Sequence, residues 1–437
     1  MNQLLNIDKQ ITTTAGNIIK IESYLGGGGQ GEVYKVGYQG KKFALKWYYP
    51  KTATQDQLKI LEALVSIGPP NDKFLWPLEL IKCPEIKGFG YLMPLRDSTY
   101  KSINDLMTKK VNPSFKTISK IGYHLADSFL QIHSKGLSYR DISFGNVFFD
   151  PIKGDVLICD NDNVAVDSTT PATILGTPRF MAPEIVIGKA SASKYTDLFS
   201  LSVLLFYIFF VHHPLDGEME SKIKCLDLPA MNKIYGSEPI FIFDPLNSSN
   251  RPVPGLHDNA IIFWNIYPQF FKDLFIKAFT EGLTDPQNGR VAESIWRLNM
   301  IRLNDSIIYC QKCSNENFYD NEKLKNSTSH VCWYCKTKTE IQLPPRISIG
   351  NMTIMLNFDT KLYPHHLGDY YNFTTPVGEV TQHPKNPKIW GIKNLTKDNW
   401  SLTKPDGTIA EIGLGKSASL AIGNKINFGK VIGEINF

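Results

Sequence analysis

Residues 18–25, Ile18-Ile19-Lys20-Ile21-Glu22-Ser23-Tyr24-Leu25, read as β-like, and apolar and polar residues alternate at period two over Glu32-Val33-Tyr34-Lys35-Val36. That is the pattern of strands with one buried face. Lys42-Phe43-Ala44-Leu45-Lys46-Trp47 and Phe89-Gly90-Tyr91-Leu92-Met93-Pro94-Leu95 read as two further strands. Between them the period changes: Leu58, Leu61, Leu64 and Val65 share one side of a helix over 54–65. A longer amphipathic helix follows. Asn112 is its expected N-cap, Pro113 its first turn, and Ile118, Ile121, Leu125, Phe129 and Ile132 its buried face, with Gly136 as the stop. Val156-Leu157-Ile158-Cys159 reads as a strand. The fourteen residues 198–211 are apolar all round but too few to span a bilayer, which predicts a helix buried inside a domain. From Arg346 the pattern is β throughout, with a hairpin around Pro405-Asp406-Gly407 and alternating strands at 425–429 and 431–435.

A chain of 437 residues is too long for one core, and roughly two to four domains are expected. Hydrophobic residues make up 42% and charged ones 20%, which places the chain among soluble globular proteins. A net charge of +5 is too mild over this length to argue for nucleic acid. The N-terminus lacks a basic start and a long apolar stretch, so no signal peptide and no membrane partner are expected. Seven cysteines include two C-x2-C pairs, which fits a reducing cytoplasm and a metal better than a disulfide framework.

The residues that carry chemistry stand at informative distances. Asp141 lies five positions before Asn146, and Asp160 fourteen positions after it. Phosphoryl transfer needs such a set: one carboxylate to orient a hydroxyl, and two oxygen ligands to hold Mg²⁺. Upstream, Gly26-Gly27-Gly28-Gly29-Gln30-Gly31-Glu32-Val33 satisfies G-x-G-x-x-G-x-V. A dinucleotide turn would open a helix, and a Walker loop would need Gly-Lys-Ser/Thr. Here a strand follows, making a flap whose backbone N–H groups can approach phosphates. Lys46, in Ala44-Leu45-Lys46, comes fifteen positions past Gly31. The most specific stretch is Gly176-Thr177-Pro178-Arg179-Phe180-Met181-Ala182-Pro183-Glu184.

In this order the motifs resemble those of Hanks-type, eukaryotic-like Ser/Thr protein kinases, over roughly residues 12–305. The resemblance implies an N-lobe over 12–93, after a lead-in of 1–11, a hinge, and a C-lobe over 97–305. It implies that Asp141 orients the acceptor hydroxyl and that Asn146 and Asp160 hold Mg²⁺. Lys46 would hold the α- and β-phosphates of ATP, fixed by Glu62 on the following helix. Gly26, Gly27, Gly28, Gly29, Gln30, Gly31, Val33, Ala44, Met93 and Leu95 would line the nucleotide site. Asp197 would brace the catalytic loop, and Arg290 would make a bidentate bridge to Glu184. Arg140 implies control by phosphorylation of the activation segment, with Ser168, Thr169, Thr170 and Thr173 as candidates. The chain departs from the family in three places. Tyr139 replaces the usual His. Ser143 replaces a Lys that faces the γ-phosphate. Asn161 and Asp162 replace the Phe-Gly of D-F-G, and Asp162 adds a carboxylate near the metal. An ATP-binding pseudokinase scaffold with weak or no transfer is therefore the alternative to an active, autophosphorylating kinase. Residues 213–262 form a longer connection than the family usually has, either a docking insert or a surface loop.

Beyond the kinase-like part, Cys310-Gln311-Lys312-Cys313 and Cys332-Trp333-Tyr334-Cys335 can close a tetrahedral Zn²⁺ site with no open position. His330 is redundant to it, and His365-His366 reads as a surface turn. The expected organisation is α+β: a bilobal protein-kinase fold, a zinc ribbon over 306–345 and an all-β sandwich over 346–437. The second half of the sandwich resembles a forkhead-associated domain without the Gly-Arg and Ser-x-x-His elements that read phosphothreonine. The linked ribbon and β domain resemble those of bacterial kinases that accompany stress or tellurite-resistance gene clusters with a PP2C-type phosphatase. The resemblance as a whole implies a cytoplasmic enzyme that uses ATP, Mg²⁺ and Zn²⁺ and acts on protein substrates.

Overall fold

A computed structural model describes residues 3–167, 178–320, 331–336 and 341–437. Ser168, Thr169, Thr170, Thr173 and His330 lie outside the described residues. The chain divides into two compact units, Met1–Trp264 with Asp273–Arg297, and Asn265–Lys272 with Leu298–Phe437.

The first unit opens with an antiparallel sheet of six strands: β1 (Gln10–Thr12), β2 (Ile18–Gly27), β3 (Gly31–Tyr38), β4 (Lys41–Tyr48), β5 (Glu79–Ile81) and β6 (Gly90–Pro94). Their order is β1-β2-β3-β4-β6-β5. Alternation along β2 and β3 buries Ile19, Ile21, Tyr34 and Val36 together with Leu45 and Trp47. The end of β4 is apolar on both sides, so Ala44 and Tyr48 pack on the opposite face. There they meet α1 (Gln55–Ile67) through Leu61, while Thr54 caps the helix by accepting from Gln57 N.

After β7 (Lys101–Ser102) and α2 (Ile103–Met107) comes the long helix α3 (Phe115–Ser134). Ser114, not Asn112, is its N-cap: Ser114 Oγ accepts from Thr117 N at 3.2 Å. The helix begins at Phe115, two residues past Pro113, and Ser114, an equally good capping residue, takes the extended backbone an N-cap needs. Short strands follow, β8 (Leu137–Ser138), β9 (Val147–Phe149), β10 (Val156–Ile158) and β11 (Ala165–Val166), then α4 (Pro183–Val186) and α5 (Lys194–Phe210). Helix α5 is buried on nearly every side, with Phe206 and Phe210 packed on Phe275. No helix among the described residues is long and apolar enough to cross a membrane.

In the second unit, the hairpin Ile307–Tyr309/Glu316–Phe318 presents the first cysteine pair. Two antiparallel sheets of six and four strands then enclose a core that includes Ile347, Val380, Ile392, Trp400, Ile426 and Ile435. The Pro-Asp-Gly hairpin joins Trp400–Thr403 to Ile409–Ile412, with Gly407 at φ 84° as the turn requires. His365 and His366 correct the expected surface turn, because both are buried. His366 Nε2 lies 3.2 Å from Asp305 Oδ2, and Tyr363 and Phe373 cover the His365 ring. Burial drives His365 down to about 3 and keeps it neutral.

Candidate active site and cysteine cluster

Strand register assembles the centre. Val147 pairs with Ile158, so the residues just beyond the two strands meet, and Cys159 N donates to Asn146 O at 2.9 Å. This places Asp160 beside the loop that starts at Asp141. Asn146 Nδ2 donates to Asp141 O at 2.8 Å and to Asp141 Oδ2 at 3.2 Å. Its Oδ1 is left as the atom for a hard cation. Burial raises the Asp141 carboxyl, against the hydrogen bond from Asn146.

The loop backbone is held from behind. Asp197, on α5, accepts from Tyr139 N at 2.6 Å and Arg140 N at 3.0 Å. His133 stands between Asp197 Oδ2, at 3.1 Å, and Glu293. Burial opposes charge on His133, but the two carboxylates outweigh it and push the imidazole up to about 9. Tyr139 is fully buried, donates its hydroxyl to Cys159 O and packs edge-on against Phe129.

Lys46 reaches the same centre from β4. Its Nζ donates to Asp160 Oδ1 at 2.6 Å, Asp162 Oδ2 at 2.7 Å and Gln30 Oε1 at 2.9 Å. The structure does not bring Glu62 to Lys46. Glu62 is half exposed and faces Lys82 at 3.6 Å. Successive helix positions differ by about 100°, so with Leu61 turned inward Glu62 points away. The inward stripe of α1 is Gln57, Leu61 and Leu64, and Gln57 Nε2 donates to Asp162 O at 3.0 Å and Tyr48 Oη at 3.3 Å. Tyr48 in turn donates to Asp162 Oδ2. Asp160 takes a left-handed backbone, φ 58°, that lets both carboxylates turn to one ammonium. Burial, then the charge of Asp162, raises Asp160 to about 6. Asn161, at the expected Phe position, is a buried polar plug that donates to Leu75 O and Ile158 O at 3.0 and 3.1 Å.

The flap folds over Lys46. Gln30 Nε2 donates to Asn163 Oδ1 at 3.3 Å, and its carbonyl accepts from Tyr49 N at 2.9 Å. Gly26, Gly27, Gly28 and Gly29 make the turn, and Gly28 N donates to Gly31 O at 3.0 Å. At Gly31 a Cβ would lie 2.2 Å from Trp47 O, so only glycine fits. Ala44 pairs with Met93, and Val33, Leu95 and Cys159 pack on the same apolar cluster. Val33, Ala44, Met93 and Leu95 are the apolar residues expected to line the nucleotide site, and Cys159 joins them.

At the far side of the unit, Arg290 Nη2 makes one bond to Glu184 Oε2 at 2.8 Å. The expected bidentate bridge is absent because Tyr195 O and Gly282 O take Nη1 and Nε. The connection over 213–262 is tied to the described end of the activation segment. Asp216 accepts from Arg179 at 2.6 Å and from Tyr235 at 2.8 Å. The roles of Tyr48, Gln57 and Asp216 escaped sequence reasoning, as did the contact of Gln30, expected only at the nucleotide, with Lys46. Only Gln57 left a signal, as a polar residue on an apolar stripe.

In the second unit the four cysteines converge. All four Sγ atoms lie within 4.8 Å of one another, with Cys310–Cys335 at 3.8 Å and Cys313–Cys332 at 3.6 Å. A tetrahedral Zn–S bond of about 2.3 Å gives S···S edges of about 3.8 Å, which these spacings match. Asn315 N–H lowers the Cys313 thiol to about 6, and Asn317 Nδ2 donates to Cys332 Sγ at 3.6 Å.

Comparison with known proteins agrees with this geometry. A family model described as protein kinase domain matches residues 19–262. The cell cycle serine/threonine-protein kinase CDC5/MSD2 of Saccharomyces cerevisiae is 31% identical over 143 residues, 30% of this chain and 20% of that protein. Protein kinase C-like 1 of Candida albicans is 37% identical over 124 residues, 28% of this chain and 10% of that protein. Protein kinase C of Aspergillus fumigatus is 29% identical over 149 residues, 32% and 12% of the two chains. The aligned part thus spans a fifth or less of each relative. The family match itself covers more than half of this chain, and the chain belongs to the protein kinase domain family.

Proposed function

We propose that the protein is a Ser/Thr protein kinase that transfers the γ-phosphoryl group of ATP to hydroxyls of protein substrates. The observation that carries this reading is one bonded circuit. Asp141 is held by Asn146, Asn146 by Cys159 N, and Asp160 by Lys46. The donor set fits Mg²⁺, since Asn146 and Asp160 offer the oxygen atoms a hard cation takes. Bound there, Mg²⁺ would supply charge neutralisation on the phosphates. The rest falls to the chain. Asp141, its carboxyl raised by burial, orients the acceptor hydroxyl and takes its proton. Lys46 meets the phosphates as a point charge. The flap presents backbone N–H groups, and Val33, Ala44, Met93 and Leu95 exclude water around the base.

Four finer assignments belong to the same reading. The protein autophosphorylates, with Ser168, Thr169, Thr170 and Thr173 as the candidate sites. It acts in the cytoplasm, in bacterial stress signalling opposed by a PP2C-type phosphatase, as the ribbon and β domain suggest by resemblance. The cysteine cluster holds a structural Zn²⁺, supported by four thiols within 4.8 Å of one another, two pairs of them at 3.6 and 3.8 Å. The β domain is a regulatory module. A pseudokinase scaffold is the second reading, favoured by Ser143 and by Asn161 at the expected Phe position. Incubation of the full chain with ATP and Mg²⁺, followed by mass spectrometry, separates the two. Phosphate on 168–177 supports the active kinase, and tight ATP binding without any phosphate on the chain or on added protein supports the scaffold.

A further inference from the structure

We infer that Asp162 is the positioning residue for Lys46, in place of an acid on helix α1. The inference rests on the reading above, in which Lys46 engages phosphates. Lys46 Nζ contacts two carboxylates at nearly equal distance, but they are not equivalent. The Asp160 side chain is 34% exposed, that of Asp162 0% and that of Lys46 7%. A ligand to a cation must reach an accessible site, which Asp160 can do and Asp162 cannot. When Asp160 turns to metal, Asp162 remains as the charge that keeps the buried ammonium in place. A buried ammonium without a carboxylate is strongly disfavoured.

The surroundings of Asp162 are built for that task. Its Oδ2 accepts from both Lys46 and Tyr48. Its Oδ1 is buried with no hydrogen-bond partner among the described residues, and the ammonium of Lys46 is the largest influence holding the Asp162 carboxyl down against burial. Its backbone carbonyl accepts from Gln57. Strand β4, helix α1 and the turn after β10 therefore meet at one residue. Helix α1 contributes an uncharged amide where it faces the site, and its glutamate is spent on Lys82 at the surface. The placement of Lys46 is thus internal to β4 and the Asp160-Asn161-Asp162 turn.

The test has two arms on the full chain. The first measures denaturant unfolding without nucleotide for K46M, D162N and K46M/D162N, and for K46M, E62Q and K46M/E62Q. The Lys46–Asp162 pair is expected to couple by at least about tenfold in the unfolding constant, and Lys46–Glu62 to be additive within about twofold. If D162N alone does not fold, K46M/D162N, which removes both charges, should still fold. A double variant no more stable than D162N overturns the inference. The second arm measures KM for ATP and kcat. D162N should raise KM for ATP about tenfold, Y48F by less, and E62Q by under about twofold. A wild-type chain that binds no ATP refutes the kinase reading, yet the first arm still decides the pairing. Coupling to Glu62 as strong as to Asp162, or a wild-type KM in folded D162N, overturns the inference.

Discussion

His133 is the titratable group through which pH should reach the catalytic loop. Charged, it donates to both Asp197 and Glu293, and Asp197 holds the backbone of Tyr139 and Arg140. Its folded value of about 9 stands above the ordinary 6.5. A raised value stabilises the fold fully below the unfolded value, and that stabilisation is lost as pH rises through the folded one. The window is therefore about pH 6.5 to 9. The gap is roughly 2.5 units, and at about 1.4 kcal/mol per unit the charge contributes at most about 3.5 kcal/mol. H133Q cannot carry the charge and can serve only one carboxylate well. At pH 6 it should be less stable than wild type by on the order of 2–3 kcal/mol, and by pH 10 the two should nearly coincide. The assay is urea unfolding of both proteins at pH 6, 7, 8, 9 and 10, followed by intrinsic fluorescence. Parallel curves, with a constant difference across this range, would refute the reasoning.

Three further outcomes are expected. G31A places a Cβ against Trp47 O and should splay the flap, raising KM for ATP by about tenfold with little loss of far-UV signal; an unchanged KM removes the close approach as the reason for that glycine. Freshly purified protein should carry one zinc per chain, absent from C310S/C313S, and chelation should lower the unfolding midpoint of the wild type only; elemental analysis without zinc ends the assignment. Replacing Ser168, Thr169, Thr170 and Thr173 by Ala should lower transfer to an added substrate, because a phosphate there offers Arg140 a charge-assisted partner; a fully active variant, with no phosphate on the wild-type segment, removes that control.

Much of this architecture was legible in the chain because its elements obey their periods. Strand alternation marked β3, and the all-apolar run marked α5 as a buried helix. The convergence of Asp141, Asn146 and Asp160 was legible because the three are tied to one local hairpin, whose register follows from short segments. The partner of Lys46 was not. Distance along the chain selected Glu62, whereas rotation about the helix decides which residue faces the site, and Leu61 already occupies the inward direction. Asp162 could be seen as a departure, but a pair separated by 116 positions leaves no local trace. His365 and His366 misled in the opposite way. Their polarity suggested a surface, while Tyr363, Phe373 and Asp305 supply rings and a carboxylate that make burial tolerable.

The most direct test of the central claim compares wild type with D141A in transfer of labelled γ-phosphate from ATP, with Mg²⁺, to a generic protein substrate, with ATP affinity measured alongside. Asp141 acts on the hydroxyl and not on the phosphates, so D141A should bind ATP nearly as well while transferring at least about a hundredfold more slowly. Equal transfer by the two proteins, or none by either despite bound ATP, would contradict the account.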